Sequence, residues 1–307
     1  MISRVVRPSR SVLAVPASNR RMIEKAVASA ADMIFLDLED AVAPSEKAEA
    51  RQEVIRALRN LPWGAKPRMY RVNALTTPWF YRDLIDIVEA AGEHLDLVLV
   101  PKVERPEDVS TVATLLSQIE AATGLGRRIG IEVQIESAAG VLAAERIAAA
   151  DDRIDAIVFG PGDFAASIGM PMSAVGAFDR DTIPYPGHRL HGVMQHLVLA
   201  ARAAGVRVVD GPFGDFRDEP GLREASETAR ALGFDGKWCI HPAQIGTVNE
   251  LFLPTEAEIA WARRVIDAYR RSLADGRGAI SIDGRMVDAA SVRIAELTLQ
   301  RRGGPET

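Results

Sequence analysis

The sequence predicts a (β/α)8 TIM barrel with a C-terminal helix–hairpin–helix lid. Three observations carry this. Eight short apolar runs recur between residues 11 and 240; amphipathic helical stretches separate them; charged residues cluster just past the ends of the runs, where α/β folds place their chemistry. A continuous apolar run of four to eight residues marks a strand buried on both faces, as in a parallel sheet. A doubly wound open sheet shares this alternation, because closure leaves no trace in a sequence.

The strands are expected at 11–15, 33–38, 68–72, 95–100, 129–135, 156–159, 206–209 and 237–240. Helices are expected at 20–30, 45–59, 78–91, 106–122, 138–149, 191–204 and 219–232. Ser18 and Ser45 offer side-chain oxygens as N-caps, Pro78 and Pro106 suit first turns, and Gly205 and Gly233 suit the residue that ends a helix. The pattern changes after Leu253-Pro254. Residues 255–274 form a long charged helical stretch, Asp275-Gly276-Arg277-Gly278 is a turn, and 279–287 reads as a hairpin closed by Asp283-Gly284. A last helix is expected over 289–299 and a frayed tail over 303–307. Residues 1–253 therefore read as the barrel domain. Residues 254–307 lack the core for independent folding and read as a lid or arm, packed on the barrel or on a neighbouring subunit.

The 307 residues are 48% hydrophobic and 26% charged, a soluble globular balance with length enough for a large core. A formal net charge of -5 argues against a general nucleic-acid binder. The single cysteine, Cys239, excludes an intrachain disulfide and suits a reducing cytosol. No charge-free run approaches a membrane span, and no apolar run of signal-peptide length follows Met1-Ile2-Ser3-Arg4. The expectation is a cytoplasmic protein. No nucleophile elbow, P-loop or dinucleotide fingerprint occurs.

The densest signal lies between Ile34 and Val42, where strand-forming residues end in Asp37, Glu39 and Asp40. Three acids at a strand end point to a metal or a cationic partner; the plain alternative is a solvated loop. Glu136 ends the run 129–135, and Asp163 follows the run ending at Phe159. Both acids therefore fall at the C-terminal rim of adjacent strands, which lie about 5 Å apart, so the two carboxylates reach one ion. Two carboxylates with waters is a common way to hold Mg²⁺, and no His/Cys set has zinc spacing. Helix capping is the alternative for each acid. In Gly160-Pro161-Gly162-Asp163 the glycines permit a sharp turn whose N–H groups suit a substrate carboxylate. Gly211-Pro212-Phe213-Gly214-Asp215 suits a pocket wall in the same way.

Arg71 in a barrel mouth needs anionic company. Glu39 or Asp40 supply it, or an anionic substrate or enolate does. Lys102, after the fourth strand, shares that ambiguity or merely neutralises the acidic rim. His241 ends the eighth strand and is a structural cap, a pocket wall or a catalytic group. Cys239, within that strand, reads as a small buried residue and not a nucleophile. Asp288, taken alone, is an N-cap for the last helix.

Together these segments resemble the citrate lyase β-subunit-like family. The resemblance rests on Leu36-Asp37-Leu38-Glu39-Asp40-Ala41-Val42, Arg71-Val72-Asn73, Val100-Pro101-Lys102-Val103, Ile135-Glu136-Ser137-Ala138 and Gly162-Asp163-Phe164. It continues through Lys237-Trp238-Cys239-Ile240-His241-Pro242 and Gly284-Arg285-Met286-Val287-Asp288, covering nearly the whole chain in order. Trp63-Gly64, Thr77-Pro78-Trp79-Phe80-Tyr81-Arg82-Asp83 and Asp210-Gly211-Pro212-Phe213-Gly214-Asp215-Phe216 look closest to the malyl-CoA/β-methylmalyl-CoA lyase branch.

The resemblance implies a TIM barrel whose lid is exchanged between subunits of a homotrimer or hexamer. It implies Mg²⁺, with Mn²⁺ as a substitute, held by Glu136 and Asp163, and Glu39 and Asp40 around the metal's waters. Arg71 would bind the substrate carbonyl or enolate oxygen. Asp288, delivered by the neighbouring subunit, would shuttle the proton at the thioester α-carbon. Coenzyme A would lie along Ser18, Arg20, Lys25 and the segment that includes Ile240, His241 and Pro242. The implied activity is a carbon–carbon lyase acting reversibly on a 3-hydroxyacyl-CoA such as L-malyl-CoA or β-methylmalyl-CoA. Its products would be glyoxylate and acetyl-CoA or propionyl-CoA. The alternatives are a citramalyl-CoA lyase, a malyl-CoA thioesterase, and the β subunit of a citrate lyase complex.

Overall fold

The computed structural model describes residues 7–179, 188–274 and 276–301. The expected frayed tail at 303–307, Asp275 of the expected turn and the Met1–Arg4 stretch lie outside the described residues. Eight parallel strands close a barrel in sequence order: β1 (Ser11–Pro16), β2 (Met33–Asp37), β3 (Arg68–Arg71), β4 (Leu97–Val100), β5 (Gly130–Ile135), β6 (Ile154–Phe159), β7 (Arg207–Asp210) and β8 (Gly236–Cys239). β8 returns to β1, with Lys237 opposite Ser11 and Cys239 opposite Leu13. That pairing decides for the barrel against the open sheet. The seam depends on Gly236: a Cβ there would lie 1.7 Å from the Ser9 carbonyl oxygen. Beside it the Lys237 N–H donates to the Arg10 carbonyl at 2.8 Å.

Ten helices among the described residues accompany the strands: α1 (Arg20–Val27), α2 (Lys47–Asn60), α3 (Phe80–Ala91), α4 (Pro106–Thr123), α5 (Ala138–Leu142), α6 (Ala144–Ala148), α7 (Pro161–Ser167), α8 (His191–Ala204), α9 (Glu219–Leu232) and α10 (Gln244–Leu251). Each long helix buries one stripe. α3 buries Phe80, Leu84, Ile87, Val88 and Ala91, the spacing of a single helix face. Gly124, Gly205 and Gly233 end α4, α8 and α9 in the left-handed conformation.

Strand alternation sorts the barrel interior. Met33 and Phe35 of β2 join Val12, Met69, Leu97, Leu99, Val158, Val209 and Trp238 in one buried cluster. Burial of each large apolar side chain contributes roughly 1.5–3 kcal/mol. Near the N-terminal ends of β5 to β7 the filling is polar: Arg207 donates to Glu132 at 2.7 Å and also to Asp155. At the other end stand Asp37, Arg71, Gln134 and Glu136, all buried.

Several local expectations need correction. Asn19, not Ser18, caps α1: it is extended and its side chain accepts from the Met22 N–H at 3.0 Å. Ser45 caps nothing, because Pro44–Glu46 forms a 3-10 turn ahead of α2. Pro78 lies in a turn, and α3 starts at Phe80. The helix expected at 138–149 breaks at Ala143, whose backbone leaves the helical region. α10 lies outside the expected helices, and α7 enters the expectations only as the segment Asp163 would cap; at seven and eight residues both are too short for a 3.6-residue period to register. β8 stops at Cys239, so Ile240 lies in the loop beyond it.

Backbone contacts divide the chain into two units, residues 1–249 and 250–307. In the second, α11 (Glu256–Ala274) and α12 (Ala289–Arg301) pack around Ala262, Val265, Ile266, Val287 and Ala295. The antiparallel pair β9 (Ile280–Ile282) and β10 (Arg285–Val287) is closed by Asp283 and Gly284, both at positive φ. Arg264 and Arg285 lie 5.5 and 5.1 Å from the Trp261 ring centroid.

Gly236→Ala is expected to cost at least about 3 kcal/mol, because a backbone carbonyl blocks the new methyl. Urea denaturation followed by circular dichroism checks this; an unchanged midpoint would show that the seam yields.

Candidate active site at the barrel rim

The rim is built around one ion pair. Asp37 ends β2, Arg71 ends β3, and the two residues face each other in register. Arg71 donates from Nε to Asp37 Oδ1 and from Nη2 to Asp37 Oδ2, both at 2.7 Å. This is the bidentate fork that only a guanidinium makes. Burial works against the Asp37 carboxylate, but Arg71 and the N–H groups of Glu39 and Ala41 outweigh it and hold its pKa below the usual range. Burial likewise opposes the Arg71 charge, yet Asp37 and Glu39 raise its pKa further.

The third nitrogen of the fork reaches β5. Arg71 Nη1 donates to Gln134 Oε1 at 3.1 Å. The amide is thereby oriented, and its Nε2 donates to Glu136 Oε2 at 2.5 Å. Glu136 Oε1 accepts from the Lys102 backbone N–H at 2.9 Å. Gly160, after β6, leaves the space: a Cβ there would lie 2.4 Å from Glu136 Oε2. Burial first, then Glu39 and Asp163, push the Glu136 carboxyl up to about 8. Asp163 is exposed in the first turn of α7, just past the strand partnered with β5.

Glu39 is buried between Arg71 Nη1 at 3.0 Å and Lys102 Nζ at 2.8 Å. Neither contact has hydrogen-bond geometry. Burial raises the Glu39 pKa despite the two cations. Asp40 is exposed and pairs with Lys102 at 3.5 Å. The expectation that Glu39 or Asp40 pairs with Arg71 therefore holds for Glu39 alone, and the principal partner is Asp37. The reason is alternation: Asp37 follows Met33 and Phe35 on the inward face, while Asp40 lies outside the strand. Lys47 of α2 secures the acidic loop from behind, donating to the Leu38 and Glu39 carbonyls at 2.6 Å each.

Lys102 has φ +54, one of three described non-glycine residues at positive φ. Such a conformation costs about 1–3 kcal/mol. Trp238 lies under the Arg71 guanidinium at 5.5 Å from its ring centroid, against Phe35. Ser18, Arg20 and Lys25 are exposed near the start of α1, and Arg20 is engaged by Glu53 at 2.6 Å. Ile240, His241 and Pro242 are exposed past β8, where His241 stacks on Phe216 at 4.6 Å. Gln244 holds this loop by accepting from the Ile240 N–H and donating to the Phe213 carbonyl. Burial pushes the Cys239 thiol up to about 12, which leaves it inert. In the second unit Asp288 accepts from the Ser291 N–H at 3.0 Å, and that bond with the Ser291 hydroxyl lowers its pKa. The capping reading of Asp288 is thus realised.

Sequence reasoning missed Gln134 and Lys47. Gln134 shares the inward face of β5 with Glu136, a period-two signal that was available. Lys47 reaches the loop from the next helix, a tertiary contact without a sequence signature. The oxygen donors that can hold a divalent cation are Glu136 and Asp163. Among the described residues no group of three or more His, Cys, Asp or Glu side chains is placed to hold a metal ion. Nor is any described helix long and apolar enough to cross a membrane.

A closed parallel barrel with acids and cations gathered past the strand ends defines a (β/α)8 enzyme. The chain belongs to the HpcH/HpaI aldolase/citrate lyase family, whose model matches residues 10–242. It is 42% identical to an L-malyl-CoA/beta-methylmalyl-CoA lyase of Cereibacter sphaeroides, over 96% of this chain and 95% of the relative. It is 38% identical to a (3S)-malyl-CoA thioesterase of the same species, over 96% of this chain and 94% of the relative. The structure of protein CitE from Mycobacterium tuberculosis in complex with magnesium, acetoacetate and coenzyme A superposes with a TM-score of 0.74 at 32% identity. That match covers 96% of this chain and 98% of the other. The family makes this chain a carbon–carbon lyase by class.

A cation held by Glu136 would have to displace its proton. Burial, Glu39 and Asp163 push that carboxyl up to about 8, so divalent-cation affinity should rise about tenfold per pH unit from 6 towards 8 and then level off. Mn²⁺ titration by electron paramagnetic resonance checks this; a flat profile would contradict the placement of that proton.

Proposed function

We propose that this chain catalyses the reversible cleavage of a 3-hydroxyacyl-CoA such as L-malyl-CoA or β-methylmalyl-CoA. The products are glyoxylate and acetyl-CoA or propionyl-CoA. The observation that carries the reading is full-length similarity at 42% identity to lyases of that name. The rim supports it independently. Glu136 and Asp163 form an all-oxygen donor pair suited to Mg²⁺ or Mn²⁺, and the raised Glu136 pKa marks a carboxyl that a cation would return to its charged form. Bound there, the ion supplies Lewis-acid polarisation of substrate oxygens.

The remaining steps belong to side chains. The hydroxyl gives up its proton to a water at the site, and the bond from its carbon to the thioester α-carbon breaks. The electron pair passes to the thioester as an enolate. Arg71, held rigid by Asp37 and Gln134, stabilises the enolate oxygen without reorganising. Asp288 returns a proton to the α-carbon, and in condensation removes it. The ionised form that Ser291 favours is the form needed for that removal. Glu39 and Asp40 order water beside the ion. Coenzyme A runs past Ser18, Arg20, Lys25 and the Ile240, His241 and Pro242 loop.

Asp288 reaches this site from a second copy of the chain, in a trimer or hexamer. The second unit exposes Met286 at 74%, Ile294 at 67% and Leu297 at 58%, an apolar surface that suits another protein. A single buried cysteine suits a cytoplasmic setting. Thioester hydrolysis is the second reading, favoured by the thioesterase relative at 38% identity.

Purified protein with Mg²⁺ and malyl-CoA should release glyoxylate, and chelation should stop it. Malate and free CoA without glyoxylate would favour the hydrolase. Asp163→Ala and Asp288→Ala should each lower kcat by roughly 10²–10⁴-fold; full activity in either removes that residue from the mechanism. If the arm is exchanged, mixing these two inactive variants restores part of the activity after subunit exchange, whereas sites closed within one copy stay dead.

A further inference from the structure

Of Arg71, Lys47 and Lys102, the described cations that touch the rim acids and their loop, Lys102 is the accessible one. Arg71 is 7% exposed and its guanidinium is engaged by Asp37, Gln134 and Glu39. Lys47 is buried against two carbonyls. The Lys102 side chain is 40% exposed, with its ammonium 2.8 Å from Glu39 and 3.5 Å from Asp40. Its backbone is left-handed and its own N–H holds Glu136. Non-glycine residues keep such a backbone where their surroundings over-determine it, and those positions gather at ligand sites.

Charge gives this placement a use. Glu39, Asp40, Glu136 and Asp163 all act on the same mouth, and an anionic substrate meets their repulsion. A divalent ion offsets two charges and Lys102 a third. An ammonium carries three N–H donors on a flexible stem. Asp40 accepts one at 3.5 Å and Glu39 lies 2.8 Å from the nitrogen as an ion pair, which leaves donor capacity for an arriving anion. Arg71, fixed at both ends of its fork, has no such freedom.

We infer that Lys102 binds the carboxylate at the 2-oxo-acid end of the substrate. This deepens the function proposed above and rests on its 2-oxo-acid product. Lys102 thus selects a carboxylate-bearing partner for the acyl-CoA enolate, while Arg71 serves the enolate itself.

The probe is oxalate, a planar dicarboxylate, titrated calorimetrically into protein saturated with Mg²⁺. Lys102→Met should weaken oxalate at least tenfold and Lys102→Arg should recover most of the loss. Lys102→Gly accepts the left-handed backbone and keeps the N–H to Glu136, so an equal loss there assigns the effect to the ammonium. Mn²⁺ affinity without oxalate should be unchanged or tighter in all three. Wild-type oxalate binding in Lys102→Gly, or a parallel loss of Mn²⁺, overturns the inference. If oxalate binding depends on Lys102 but malyl-CoA is not cleaved, the proposed reaction fails, and with it the 2-oxo-acid identity of the ligand, while Lys102 remains a carboxylate-binding residue. If malyl-CoA is cleaved with an unchanged KM in Lys102→Met, the assignment alone fails.

Discussion

The mouth of the barrel depends on the Asp37–Arg71 ion pair. Taking two charges out of water is costly, and the cost is offset only when every donor and acceptor finds a partner. Here the pairing is nearly complete. Asp37 takes two guanidinium bonds and two backbone N–H groups, and the third guanidinium nitrogen orients Gln134. Losing one partner of such a pair costs about 3–5 kcal/mol, because the other charge is left buried and alone. The same rigidity that makes the pair expensive to break keeps the Arg71 guanidinium fixed in place at the mouth.

From this pair two arms extend. One runs through Gln134 to Glu136 and makes a carboxyl that is aimed, buried and reluctant to ionise. The other runs through Glu39 to Lys102 and out to Asp40, towards water. Burial grades the two arms: the closed one ends in a carboxyl of the kind that suits a metal, the open one in an accessible ammonium. Lys47 and Gly160 serve them from outside, one by pinning the loop carbonyls, the other by supplying the space that Glu136 fills.

Much of this was legible in the sequence, for definite reasons. Parallel barrel strands are buried on both faces, so their apolar runs stand out and even the short ones were located. Rim position then picked out Glu136 and Asp163, since both follow neighbouring strands. The acids of β2 were harder. Counting from Phe35 by twos gives Asp37, yet the density of Glu39 and Asp40 drew attention past the strand end. Caps slipped by a residue because Ser18 and Asn19 are equally able side chains, and only the backbone distinguishes them. Asp288 is the extreme case. Nothing in its neighbourhood separates an N-cap from a catalytic acid, and family resemblance alone raised the second role.

β5 places Glu132 and Gln134 at alternate positions, and Glu136 continues the alternation just past its end, so its inner face is polar along its length. During synthesis the chain emerges from its N-terminus, and β5 is the exposed edge until β6 arrives. An edge strand with inward charges is a poor template for another chain's strand. The polar residues that line the inside of the finished barrel therefore also make the half-made barrel a poor template for a neighbouring chain.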